Sequence, residues 1–119
     1  MKIEIQQAYL YPYRGFIDLI DSVDKFVLYD DAKYIKGGWI NRNNFPEPFT
    51  FRLKKHSDYA KINELYFFDV EEDKKRFKRE FPRINTKHIN MLDQRCNLAY
   101  NIYRTLVTIC EDLGIFTPF

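Results

Sequence analysis

Three observations predict an α/β fold of Rossmann-like kind, a small parallel or mixed sheet with flanking helices in a single domain. The first is the alternation of Ile3 and Ile5 with Lys2, Glu4 and Gln6, which marks a strand over Lys2 to Ala8. The second lies beyond a short turn. Phe16, Ile17, Leu19, Ile20 and Val23 recur at helical spacing with Asp18, Asp21 and Asp24 opposite, and an unbroken apolar run, Phe26 to Tyr29, comes directly after. Strand, helix, strand joined by a right-handed crossover makes a parallel pair. The third is an apolar stripe in the last third of the chain, long enough for a helix that packs on such a sheet. At 119 residues the chain supports one domain, 1–119.

Taken in order, the first strand enters Tyr9 to Gly15, where Pro12 and Gly15 punctuate a turn flanked by tyrosines. The uninterrupted run Phe26 to Tyr29 has the pattern of a strand buried on both faces of a parallel sheet. Asp30 to Asn43 is then a long polar loop, and Pro46 and Pro48 bracket a break. Phe49, Phe51 and Leu53 alternate with Thr50, Arg52 and Lys54, as in a half-buried strand with Arg52 and Lys54 on its polar face. His56 to Lys61 forms a turn, and Ile62 to Val70 a further strand. The mixed charges of Glu71 to Glu80 suit an exposed helix with a solvated face. A core-facing helix runs from Leu92 to Leu113, with Leu98, Ile102, Leu106, Ile109, Cys110 and Leu113 on one stripe and Gly114 placed to end it. Ile115, Phe116, Pro118 and Phe119 are apolar enough to begin another strand.

Composition narrows the function classes. Hydrophobic residues at 45% can build a core, and 30% charged residues exclude a disordered or membrane-embedded chain. There is no run of eighteen apolar residues and no basic segment ahead of an apolar signal core, so a cytoplasmic protein without membrane insertion is expected. Cys96 and Cys110 fall on one expected helix without metal-type spacing, which fits reduced thiols in an intracellular protein and suggests no zinc site. The net charge of +2 speaks against extended nucleic-acid contact. Positive charge is local instead: Lys33, Lys36, Arg42, Arg52, Lys54 and Lys55 cluster in sequence. They suit the phosphate or carboxylate of a small anionic ligand, the competing reading being a solvated surface. Aromatic residues reach 18%, and several of the 9 tyrosines fall in loops where they can line a pocket.

The chemistry concentrates in Asp30 to Asn43. In an open α/β sheet ligands bind at the carboxyl ends of the strands, so Gln7 to Tyr9 and Asp30 to Asp31 are expected at one rim. Neighbouring residues on a strand point opposite ways, and only one of Asp30 and Asp31 should face the cleft. That residue is the candidate general base, with a hard-cation ligand as one alternative and a turn-forming strand cap as another. Gly37 and Gly38 precede the sole Trp, and Gln7, Lys36, Asn41, Arg42 and Asn43 supply donors for hydroxyl, amide or phosphate oxygens. Tyr9, Tyr11, Tyr13 and Trp39 would stack on a sugar or base ring. No Gly-flanked Ser elbow, Cys beside a His or phosphate loop is present. His56 and His88 are solitary in sequence, His56 being the better base candidate because it follows Lys54 and Lys55. No cofactor is named by any motif.

With these residues assembled, the chain resembles the WbqC-like family of bacterial proteins, which are associated with genes for surface polysaccharide and O-antigen synthesis. One signature reads Gln7-Ala8-Tyr9-Leu10-Tyr11-Pro12-Tyr13-Arg14-Gly15-Phe16 here. The other is matched at Asp30, Asp31, Tyr34, Ile35, Lys36, Gly38, Trp39, Ile40, Asn41, Arg42 and Asn43. Leu53-Lys54-Lys55 and Ile109 to Ile115 are similar to the family as well. Ala8 stands where the family usually has Pro, which leaves that loop less rigid, and the resemblance is to the amino-terminal half of longer members. It adds Tyr34 and Lys54 to the ligand-binding residues. It implies a bacterial or phage transferase joining an activated donor, nucleotide-linked or acyl, to a glycan-type acceptor. A noncatalytic glycan- or partner-binding module is the alternative, a nucleic-acid-modifying protein a lesser one, and association of identical copies is left open.

Overall fold

The computed structural model describes residues 1–7, 9–11, 14–35, 38–45 and 47–119, with only the backbone of Arg14. In chain order the elements are β1 (Ile3–Gln7), α1 (Arg14–Asp21), β2 (Lys25–Tyr29), β3 (Arg42–Asn44), β4 (Pro48–Thr50), a 3₁₀ turn (Ile62–Glu64), α2 (Val70–Glu80), α3 (Lys87–Asn90) and α4 (Leu98–Asp112). The architecture is mixed α/β. β1 and β2 are adjacent and parallel, with Ile3 opposite Lys25 and Gln7 opposite Tyr29, as the strand, helix, strand pattern required. β3 and β4 form a separate antiparallel hairpin. No helix among the described residues is long and apolar enough to cross a membrane.

The expectation that β2 is buried on both faces is corrected. Residues opposite one another in a ladder share a face, so Glu4 with Phe26 and Gln6 with Leu28 turn to one side and Ile3 with Lys25 and Ile5 with Val27 to the other. Phe26 packs with Phe16, Ile17 and Ile20 of α1 and with Leu106 and Cys110 of α4. Both helices lie on that side, and the other remains open: Ile3 is 54% exposed and Ile5 61%. The alternation in β1 has the right period and the opposite sense. Its polar residues face the helices, where Gln6 Nε2 donates to Glu4 Oε1 at 2.6 Å.

The larger core lies beyond the hairpin. Phe77 of α2 meets the rings of Phe45, Phe49 and Phe81 at centroid separations of 4.9, 5.1 and 5.1 Å. Past β4 the chain stays extended: Phe68 N donates to Arg52 O, and Lys54 N to Tyr66 O. Phe49 and Phe51 point into the core while Arg52 and Lys54 face outward, as the alternation predicted. Ile62 to Val70 is not a strand. Glu64 Oε1 accepts from Lys61 N and closes a 3₁₀ turn, after which a single bridge joins Phe67 to Leu53. Buried Ile62, Leu65, Phe67 and Val70 follow neither a strand nor a helix period, and the carbonyl of Leu65 is taken by Leu98 N at the start of α4.

α2 forms where the charged run predicted a helix, but its face is not wholly solvated. Val70, Asp73, Lys74 and Phe77 are buried at the i, i+3, i+4, i+7 spacing of a core stripe, so two charged residues enter the interior. Lys74 Nζ donates to Glu71 and to the carbonyl of Asn90. α4 starts at Leu98, not Leu92, because Asn97 caps it by accepting from Tyr100 N at 2.7 Å. Cys96 therefore precedes the helix and only Cys110 lies on it, both as free thiols. Leu113 is exposed at the C-cap, off the buried stripe. Gly114, at φ +75°, ends the helix while Ile115 N bonds to Cys110 O. The tail makes no strand. Pro118 O accepts from Phe26 N, Thr117 Oγ1 donates to Ile20 O at 3.0 Å, and Phe119 stands edge-on to Phe26.

Candidate functional site

The loop after β2 is laid against residues 60–63. Tyr34 N donates to Ala60 O, Ile62 N to Ala32 O and Asn63 N to Asp30 O. This backbone lacing brings Tyr34, which is buried, to Asn41. Asn41 is 3% exposed, and its side chain is spent within the protein: Oδ1 accepts from the Tyr34 hydroxyl at 2.9 Å and Nδ2 donates to Phe51 O at 2.7 Å. Burial raises the Tyr34 phenol above its ordinary pKa. The two residues form a clasp that ties the loop to the extended segment.

The clasp forms one wall of a hollow of about 550 Å³, whose other lining includes Thr50, Arg52, Lys54, Lys55, His56 and Asp58. A second hollow of about 470 Å³ shares Tyr34, His56 and Asp58 and adds Lys33 and Ile35. The His56 ring stands edge-on to Tyr34 at 5.2 Å. Its Nδ1 is 2.9 Å from the carbonyl of Ser57, and a carbonyl can only accept, so Nδ1 carries the proton. In the neutral ring Nε2 then presents a lone pair. Three cationic side chains, Arg52, Lys54 and Lys55, and a single carboxylate line the larger hollow, so it favours a multiply charged anion.

The other expected site residues fall into smaller groups. Asp30 lines a different hollow, of about 360 Å³, with Val27, Tyr100, Tyr103 and Phe119, and Asp31 is exposed on the loop. Trp39 is 51% exposed beneath the Arg42 guanidinium, 5.1 Å from ring to cation. Tyr9 sits edge-on to Phe16, with its hydroxyl 3.3 Å from Gln7 Oε1. Asn43 donates through Nδ2 to the carbonyl of Tyr11. Tyr13 and Lys36 lie outside the described residues. Tyr34, Asn41 and Lys54 are thus brought together, Gln7 is joined to Tyr9, Trp39 to Arg42, and Asn43 to Tyr11. His88 is a surface tie: Asp112 takes it at 3.0 Å together with Lys87, and these donors, Lys87 foremost, hold the Asp112 carboxyl below its usual range. No group of three or more His, Cys, Asp and Glu side chains among the described residues is arranged to hold a metal ion.

Arg52 and Lys55, expected from the local positive charge, and His56, the better base candidate of the two histidines, join the site, and Asp58 is the lining residue that the sequence did not single out. The alternation from Phe49 to Lys54 already put Arg52 beside Lys54. Asp73, which holds Arg52, could be found only through the apolar stripe of α2, since composition made that run look solvated.

Tyr11 carries the signs of a constrained position. Its backbone is left-handed at φ +55°, a conformation costing a non-glycine residue about 1–2 kcal/mol. Its ring stands edge-on to Phe45, and its hydroxyl is buried without a hydrogen-bond partner among the described residues. Burial drives that phenol far above its ordinary pKa. Tyr11→Phe deletes an oxygen whose burial is uncompensated, so it should raise stability by about 1 kcal/mol in urea melts. A loss of that size would mean that the hydroxyl has a partner worth keeping.

The model of the WbqC-like protein family matches residues 7–119. A Mycobacterium tuberculosis protein described as "Uncharacterized protein Rv1507c" is 32% identical over 133 aligned positions, which take in 98% of this chain and 58% of that protein. The chain therefore spans little more than half the length of the relative it matches. No solved structure matches it.

Proposed function

From the premise that this chain belongs to the WbqC-like protein family, we propose that it is a transferase of bacterial surface-polysaccharide or O-antigen biosynthesis. It takes an activated donor, nucleotide-linked or acyl, and a glycan-type acceptor, in the cytoplasm. On this reading β1–α1–β2 is a Rossmann-like unit. The observation that carries the proposal is the convergence of Arg52, Lys54, Lys55 and His56 on one hollow beside the Tyr34–Asn41 clasp. Such a groove holds the anionic leaving group of a donor and stabilises the charge that builds on it. The acceptor's hydroxyl or amine gives up its proton to a base and bonds to the donor's electrophilic atom. The leaving group departs with the bonding pair. Asp30 or Asp31 is the base expected from the sequence, and His56 Nε2 is the base within the groove itself.

The second reading is a noncatalytic module that binds an anionic glycan or a partner. It is favoured by the separation of Asp30, which lines another hollow, from the basic groove. Nucleotide-sugars and acyl nucleotides can be screened by thermal shift, since a ligand that binds only the folded state raises its apparent stability. Hits then enter turnover assays with Asp30→Asn, Asp31→Asn and His56→Asn. In a transferase one of the three lowers turnover by roughly a hundredfold or more with binding retained. Binding without turnover, unaffected by all three, establishes the module instead.

A further inference from the structure

Arg52 is held in a way that a purely structural arginine is not. Asp73 is 0% exposed, and its carboxylate fixes Arg52 at two points: Oδ2 accepts from the backbone N–H at 2.9 Å and Oδ1 from Nε at 2.8 Å. The ring of Phe68 lies 5.1 Å from the guanidinium carbon. Nε supplies one of the five N–H donors of a guanidinium, and no group among the described residues takes the two terminal nitrogens that carry the other four. The side chain is 45% exposed and lines the basic hollow.

Arg76 provides the contrast within the same cluster. It bonds the same Asp73 oxygen at 3.4 Å, but its Nη2 also donates to Thr50 O at 2.9 Å and its guanidinium lies over Phe49 at 4.1 Å. Arg76 is consumed by the fold. An arginine present only to neutralise Asp73 would do the same and turn its fork to the carboxylate, as such pairs commonly do. Arg52 approaches through Nε alone and keeps its forked end on the groove.

We propose that Arg52 is the oxyanion clamp of this groove, that its ligand carries a phosphate or diphosphate, and that Asp73 is its positioning residue. The proposal rests on the reading of the groove as an anion site and adds which group binds and what it selects. A fork held in place before binding loses less freedom on contact than a free surface side chain. Phosphate is favoured over a carboxylate because Lys54 and Lys55 stand beside Arg52 in a lining whose one carboxylate is Asp58, a surplus that suits more than one negative charge.

The test is calorimetric titration of the full chain with inorganic pyrophosphate, with acetate as a parallel arm. Folding of each variant is checked by circular dichroism. Wild type should bind pyrophosphate and not acetate. Arg52→Lys, which keeps the charge and removes the fork, should weaken pyrophosphate binding tenfold or more, and Arg52→Gln at least as much. Arg79→Gln, on the exposed side of α2, should change it less than twofold. The NMR signal of the Arg52 Nε–H should be slow to exchange in wild type and fast in Asp73→Asn, which should also bind pyrophosphate more weakly. If Asp73→Asn does not fold, the Arg52 variants and the wild-type exchange rate decide. Unchanged affinity in both Arg52 variants, with loss in Lys54→Met or Lys55→Met, overturns the clamp and leaves the anion groove standing. Equal binding of acetate overturns the phosphate assignment, and no binding of pyrophosphate up to about 10 mM overturns clamp and anion groove together.

Discussion

Phe77→Ala is expected to lower the stability of this protein by about 3–5 kcal/mol, the range for deleting a fully buried aromatic side chain. Phe77 has no exposed surface and is the ring on which Phe45, Phe49 and Phe81 converge. Phe45 and Phe49 come from the β3–β4 hairpin and Phe81 from the C-cap of α2 itself, so a shift of the hairpin alone cannot close the void. A small domain has about 5–15 kcal/mol of stability in all, and the variant should lose a large share of it. The loss reaches the candidate site because Phe49 and Phe51 form the inner face of the same extended segment whose outer face carries Arg52 and Lys54. Urea denaturation should show a much lower midpoint at similar slope. A cost below about 1 kcal/mol would mean that the aromatic cluster is not the main core.

The parts of the fold that could be read from the sequence are those where periodicity and punctuation agree. β1, α1 and β2 form where alternation, helical spacing and an apolar run follow one another, and the crossover rule correctly made the strands parallel. The direction of β1's faces was not legible. Alternation gives a period, but which face is covered depends on where α1 and α4 pack, and they chose the side of Glu4 and Gln6. Ile62 to Val70 was misread because its apolar residues serve a 3₁₀ turn and an irregular stretch whose carbonyls are claimed by distant donors. The start of α4 was misplaced because Leu92 and Cys96, four residues apart, match a helical spacing, while the helix itself begins only after the cap at Asn97.

The candidate site was legible as an inventory more than as an arrangement. Residue type singled out Asn41 and the family resemblance added Tyr34 and Lys54, and the structure does bring the three together. It could not be seen beforehand that Asn41 would satisfy Tyr34 and Phe51 and so hold the wall of the groove with the very donors expected to meet a ligand. His56 gained weight for a local reason: the Ser57 carbonyl fixes which ring nitrogen keeps the proton. Asp30 was expected at the end of β2 and lies there, but the hollow it lines is shared with α4 and the tail, elements whose positions only packing decides.

Asp73→Ala should be the second severe lesion, at about 2–3 kcal/mol, because it removes the one fully buried member of an ionic cluster and leaves its part-exposed cations, Arg52 and Arg76, without their shared partner. Three donors now meet that carboxylate: Arg52 N, Arg52 Nε and Arg76 Nη2. Without it the Arg52 amide is left unpaired in a part-buried position, and Arg76 is cationic between Phe49 and the void. Arg52→Ala leaves the Asp73 carboxylate with the Arg52 amide and Arg76 as donors, so it should cost less, about 1–2 kcal/mol. The double variant should then be more stable than the sum of the two losses predicts, since the second change removes a cation that the first has left without its partner. Urea melts of the wild type, both single variants and the double variant complete the cycle. Strict additivity would mean that Arg52 and Asp73 do not act as a pair, and a single loss for Asp73→Ala below about 1 kcal/mol would mean that α2 does not depend on this carboxylate to hold the β4 continuation.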